Sequence, residues 1–160
     1  MSDDAAPRVV FDTVALLQAA LNVTGPAGAC LDVIDEVRAT WYACPSTRRE
    51  CERVLRDPSV RAKNPSLTDA KIDAFLARLD DSAIAVPDPP IVMSLARDPD
   101  DEIVLNLAIE VGAEFLVTRD RDLLDLMDAS RPDGDEFRRR FPELRIVDPV
   151  AFLQAIRERE

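Results

Sequence analysis

Arg8–Phe11 (RVVF), closed by Asp12 and Thr13, is the stretch from which the fold is read. Three consecutive apolar residues between polar ones are too few for a helix and lack the alternation of a half-wet strand. The run therefore reads as a buried strand. Moving outward, Val14 to about Asn22 reads as a helix broken at Gly25 and Pro26, and Ala29–Arg38 as a second helix. Thr40–Cys44 (TWYAC) carries aromatic and β-prone residues and reads as a strand. Pro45 and Ser46 open a helix that runs to about Arg56, where Asp57 and Pro58 stop it. Thr68–Leu79 is amphipathic, with Ser66 or Thr68 as its cap. Ala83–Met93 contains Pro87, Pro89 and Pro90, which confines it to an edge strand or a loop. Asp98 and Pro99 start a helix to Val111 that Gly112 ends. Glu114–Thr118 (EFLVT) is another buried strand, followed by a helix over Arg121–Met127. Ala129–Pro142 reads as a polar loop, Leu144–Val147 as the last strand and Pro149–Arg157 as the last helix. Strands alternating with helices imply right-handed crossovers and a mostly parallel sheet covered on both faces. In such sheets chemistry belongs in the crevice beyond the carboxyl ends of the strands.

The 160 residues are 47% hydrophobic and 32% charged, with 4 Gly and 12 Pro, which is globular composition. That length suits a single domain, residues 1–160, with its core over about 8–155. The start Met1–Pro7 has two Asp and no basic residue, so it does not read as a signal peptide, and no apolar run approaches the ~20 residues of a membrane span. The expected location is cytoplasmic. A net charge of −11 argues against holding nucleic acid by bulk charge, though not against a local basic patch. The absence of His excludes His triads, His acid–base chemistry and most zinc sites. Cys30, Cys44 and Cys51 form no CxxC and read as reduced core thiols.

Four carboxylates stand out. Asp12 directly follows one buried strand and Asp120 follows another after two residues, so both belong at the carboxyl edge of the sheet. Each could equally be a helix cap. On the helix from Pro99, Glu102, Asn106 and Glu110 make one narrow polar stripe directed at water. Asp101 shares its face with Leu105 and Ala108 and points inward. Glu50 lies on the border between a core face (Thr47, Cys51, Val54, Leu55) and a basic stripe (Arg49, Arg53, Arg56), where it could simply pair with Arg53. Inward acids repel one another, and burial raises their pKa values. A divalent cation resolves that conflict, and an all-oxygen donor set fits Mg²⁺ or Mn²⁺ better than Zn²⁺. The chemistry this points to is phosphodiester or phosphoryl transfer.

Val9–Thr13, Cys44–Glu50 leading into Arg53–Pro58, Arg97–Asp101, Leu116–Leu124 and Arg145–Leu153 together resemble a PIN-domain protein, over about residues 8–155. The pattern is most similar to the branch of toxins from bacterial and archaeal toxin–antitoxin pairs. That resemblance implies a three-layer α/β/α sandwich and a metal-dependent ribonuclease acting on RNA, often homodimeric and held inactive by a cognate antitoxin protein. It implies that Asp12, Glu50, Asp101 and Asp120 are the catalytic metal ligands, with Asp122 a fifth ligand. One departure is Val14, where the family usually has Asn. The missing amide leaves open a weak or lapsed enzyme. Arg49 and Arg53 beside Glu50, and Arg119 and Arg121 flanking Asp120, are the candidate RNA contacts. Arg138–Arg140 reads instead as a solvated run balanced by Asp133, Asp135 and Glu136. Trp41 and Phe11 read as core. Two other readings compete: a non-catalytic PIN module that binds RNA or protein, and a phosphatase or phospho-receiver. The last lacks the expected Asp two residues after Asp12 and a Lys after a late strand, the only lysines being Lys63 and Lys71.

Overall fold

A computed structural model describes residues 5–95 and 98–159. Arg97, which opens the Arg97–Asp101 motif, and the first four residues lie outside the described residues. Five strands, β1 (Arg8–Phe11), β2 (Thr40–Ala43), β3 (Ile84–Ala85), β4 (Phe115–Val117) and β5 (Arg145–Val147), form one sheet in the order β3-β2-β1-β4-β5. Every pairing is parallel, with Val9 opposite both Trp41 and Phe115. Side chains alternate across the central strands. Val9, Phe11, Phe115 and Val117 enter one core beneath α1 (Thr13–Leu21), α2 (Pro26–Asp35), α3 (Pro45–Arg56), α5 (Asp69–Ser82) and α9 (Pro149–Arg157). Val10, Leu116 and Ile146 enter a second core beneath α6 (Pro99–Glu110), α7 (Arg121–Leu124) and α8 (Pro132–Arg140). Burial on both faces is why these strands carry unbroken apolar runs, and the result is a three-layer α/β/α sandwich. Trp41 and Phe11 meet edge to face at 5.4 Å inside the first core.

The cysteines Cys30, Cys44 and Cys51 are free and buried, and burial pushes the Cys30 and Cys51 thiols up to about 12. Thr68 caps α5 by accepting from the Lys71 N–H, and Gly112 ends α6 in the left-handed region at φ 63°. Helix boundaries move where Pro was read as a stop instead of a start. The second helix begins at Pro26, not Ala29, and ends at Asp35, with Val37 forced to φ 59°. Pro58 opens α4 (Pro58–Lys63), with Asp57 accepting from the Ser59 and Val60 N–H groups, so the chain does not stop there. Pro suits the first helical turn because its missing N–H has no partner to lose there.

Two expectations are overturned outright. The segment expected as a polar loop contains α8, which has acids in its first turn, Arg138–Arg140 in its last turn and the fully buried Phe137 as its anchor. The end charges suit the helix dipole, and one aromatic is enough to seat three turns. Nor does the stripe Glu102, Asn106, Glu110 all face water. Asn106 is fully buried, because the Pro-rich strand-to-helix segment lies across α6 and needs its backbone satisfied. The Asn106 carbonyl accepts from the Val92 and Met93 N–H groups at 2.8 and 3.0 Å, and its amide donates to the Met93 and Glu102 carbonyls at 2.7 Å. Glu102 accepts from the Leu95 N–H.

Asn106→Leu keeps the branched shape but strips those four bonds. It should lower stability by about 2 kcal/mol in urea unfolding and speed amide exchange at Val92 and Met93. An unchanged exchange rate at those two amides would mean that the strap is held by apolar contacts alone.

Candidate active site

From β1 the chain runs to β2 on one side, and after β3 it crosses back to β4 on the other. The switch point of the sheet therefore lies between the carboxyl ends of β1 and β4, where a crevice must open. The Asp12 N–H extends the ladder by donating to the Val117 carbonyl at 3.0 Å, which fixes Asp12 at the mouth of that crevice. Its side chain caps α1, Oδ1 accepting from the Ala15 N–H at 2.9 Å. Its other oxygen accepts from the Thr118 hydroxyl. Capping and inward placement are thus the same fact about one residue. Asp12 is only 4% exposed, and that burial pushes its carboxyl up to about 6 against the opposing pull of its hydrogen bonds.

Thr118 joins the two strand ends. Its hydroxyl oxygen accepts from the Asp120 N–H at 2.9 Å while its proton serves Asp12. Asp120 in turn caps α7, accepting from the Asp122 N–H at 2.8 Å. Asp101 reaches the crevice from the first turn of α6 and lines it together with Asp120. Desolvation first, then Asp120, Asp98 and Asp12, raise Asp101 well above the ordinary carboxylate range.

Glu50 arrives from the second turn of α3 with a side chain 16% exposed. Arg53, one turn on, grips both of its oxygens, Nε at 3.0 Å and Nη2 at 2.7 Å. Asp100 lies against Glu50 from α6. Burial, and then the charges of Glu50 and Asp98, raise the Asp100 pKa, with Arg53 opposing. The cleft so formed, about 140 Å³, is lined by Asp12, Glu50, Asp98, Asp100, Asp101 and Asp120, with Val14, Ser46 and Thr47 on its walls.

The four acids singled out in the sequence are therefore brought together. Asp122 is placed differently, in an adjoining hollow with Asp98, Asp101, Asp125, Arg131 and Asp133. Of the arginines, Arg53 and Arg49 border the site. Arg49 donates to Ser46 Oγ at 3.1 Å. Arg119 projects its charge on Cys30 of α2, and neither it nor Arg121 lines the cleft. Sequence reasoning passed over Thr118, whose signal was a hydroxyl ending an apolar strand two residues before an acid. It also placed Asp98 only at the helix start and did not single out Asp100. Asp98 does cap α6, accepting from the Asp100 N–H at 2.9 Å, and both line the cleft as well.

The donor set is carboxylate oxygen throughout, which suits a hard divalent cation such as Mg²⁺ or Mn²⁺. As the side chains stand, no group of three Asp, Glu, Cys or His among the described residues is arranged to enclose an ion. One reason is local: Arg53 covers Glu50. That grip neutralises a carboxylate that a cation would otherwise neutralise, and the oxygen donors lining one cleft fit such an ion in kind.

The profile of the PIN domain family matches residues 8–122, a span that contains all four acids and Asp122. The chain belongs to the PIN domain family, whose members are generally nucleases and commonly use divalent metals. It is 29% identical over 126 residues to the uncharacterized protein MJ1680 of Methanocaldococcus jannaschii, covering 78% of this chain and 77% of that one. The crystal structure of PAE2754 from Pyrobaculum aerophilum is also similar, with TM-score 0.48, 20% identity and coverage of 99% and 96% of the two chains. Among the described residues no single helix is long and apolar enough to cross a membrane.

The raised Asp12 pKa has a defined consequence. The folded state keeps this proton up to about pH 6, whereas an unfolded Asp loses it near 3.8. The stabilising contribution is therefore complete below pH ~4 and is lost as pH rises toward 6. Urea midpoints of metal-free protein should fall over that window, and Asp12→Asn should flatten the fall. At pH 7 the variant should be more stable by on the order of 2 kcal/mol. A less stable Asp12→Asn at pH 7 would make Asp12 a structural cap alone.

Proposed function

We propose that this chain is a metal-dependent endoribonuclease that hydrolyses RNA phosphodiesters. The observation that carries this is the meeting of Asp12, Glu50, Asp101 and Asp120, from four separate segments, in one cleft at the switch point of the sheet. Mg²⁺ or Mn²⁺ held by these four, with Asp122 close enough along the chain to serve an adjoining ion, would supply Lewis-acid polarisation of the phosphate and a water of lowered pKa. The protein's own part is placement. Thr118 and the start of α1 hold Asp12 in one rotamer, and the Asp120 N–H is tied to the same hydroxyl, so two ligands on different strands keep a constant spacing. Arg49 and Arg53 border the cleft where a flanking phosphate of a bound strand would pass.

A role as the toxin of a toxin–antitoxin pair is supported by the similarity of the motifs to that branch. With it come a cytoplasmic site of action, a homodimer and an antitoxin that blocks the cleft. Expression of the chain should arrest growth in a cleft-dependent way, and co-expression of a small neighbouring gene product should relieve it. The second reading is a PIN module that binds RNA or protein without cutting. Val14, 42% exposed on the cleft wall, and the grip of Arg53 on Glu50 favour it.

Purified protein incubated with mixed RNAs should cut in Mg²⁺ or Mn²⁺ and stop in excess chelator. Asp12→Asn, Asp101→Asn and Asp120→Asn should each lower the rate at least about 100-fold. Val14→Asn should raise the rate by on the order of 10-fold. Its side chain faces the cleft and not the core, so an amide there can steady a carboxylate without disturbing packing. Parent and Val14→Asn proteins that both remain as inert as Asp12→Asn would replace the enzyme with the binding module.

A further inference from the structure

The arginines of α3 divide into two kinds. Arg48 is pinned to Asp80 and Glu52, and Arg56 to Glu52 and Asp73; these pairs fasten α3 to α5 away from the cleft. Arg53 instead spends two of its five N–H bonds on Glu50, a carboxylate of the cleft itself. The partners are unequally covered, Glu50 at 16% exposure and Arg53 at 64%. Glu50 is therefore seated among protein atoms with Asp100 pressing on it, and Arg53 is the cation that neutralises it. The outer face of Arg53 borders a shallow trough of about 560 Å³ with Ser46, Arg49, Asp100 and Ile103. That trough continues into the cleft through Ser46, Glu50 and Asp100.

We propose that Arg53 is a positioning residue that gates Glu50: it occupies this carboxylate in the free protein and yields it to the cation when a nucleic-acid phosphate in the trough takes the guanidinium. This rests on the nuclease reading of the cleft. The exchange is balanced in charge. Arg53 moves from a carboxylate to a phosphate, both of which its planar fork can bind in two-point fashion, and the cation takes the vacated carboxylate. RNA binding and metal binding then assist each other, and by linkage the assistance is reciprocal. A short solvent-facing ion pair with no such role would leave metal affinity and RNA uncoupled.

The test measures Mn²⁺ affinity of the full chain by electron paramagnetic resonance of the free ion. It is run with and without a short single-stranded oligonucleotide carrying 2′-O-methyl and phosphorothioate groups to resist cleavage. Arg53→Gln should bind Mn²⁺ on the order of 5–10-fold tighter than the parent without oligonucleotide. The oligonucleotide should tighten Mn²⁺ several-fold in the parent and little in Arg53→Gln. Arg53→Lys, which keeps the charge but loses the two-point grip, should fall between them and serves if Arg53→Gln fails to fold. Glu50→Gln separates gating from simple charge, since in that background Arg53→Gln should bring no gain beyond a small electrostatic one. Equal Mn²⁺ affinities in parent and Arg53→Gln, or an equal gain in the Glu50→Gln background, would overturn the gate while RNA cleavage by the parent kept the nuclease intact. A parent that neither binds Mn²⁺ nor cuts RNA would end both.

Discussion

Asp12 is a carboxyl group sealed between the first turn of α1 and the hydroxyl of Thr118, at the one point where the parallel sheet must part. A charge there is costly, and five more acids line the same space. Much of the surrounding structure offsets that cost. Asp12 and Asp101 bind protons more tightly than free carboxyl groups, and Arg53 covers Glu50. The helix starts contribute as well, because α1, α6 and α7 each begin on an acid of the cleft whose side chain accepts a backbone N–H. A fold held together by its two apolar cores carries this strained pocket as a local deficit, which is the usual cost of a preorganised site.

The two cores also explain the precision of the placement. Val10 and Leu116 lie on one face of the sheet while Phe11 and Val117 lie on the other, so β1 and β4 are gripped from above and below just before their ends. The acids that follow are thereby held on rigid strand termini. Glu50 and Asp101 ride on helices whose buried faces, Cys51 and Leu55 for α3 and Leu105 and Ala108 for α6, leave little freedom of rotation. Asn106 anchors the strap across α6, and the chain that leaves the strap leads to Asp98 at the cleft.

Much of this was legible in the residues. The apolar runs at Val9–Phe11 and Phe115–Val117 declared buried parallel strands, because only a sheet covered on both faces has no need to alternate. Asp101 declared itself by sharing a helical face with Leu105 and Ala108. Periodicity failed where a second element covers the first. Asn106 and Glu102 sat on a stripe that belongs in water by helical phase, and only the strap, tied by backbone hydrogen bonds, made Asn106 internal and engaged the half-buried Glu102. In α8 a polar composition hid a helix whose single buried anchor, Phe137, carries no period at all.

The sequence by itself determined the class of fold, the burial of the central strands on both faces, and which four acids to look for, since each of these follows from neighbours within a few residues. The state of those acids was decided only by tertiary structure. Whether Glu50 stands alone or under Arg53, whether Asp101 meets Asp120, and whether Asp122 joins Asp12 or the adjoining hollow depend on distances between segments far apart in the chain. Coulomb energy and desolvation act through those distances, and no local pattern encodes them.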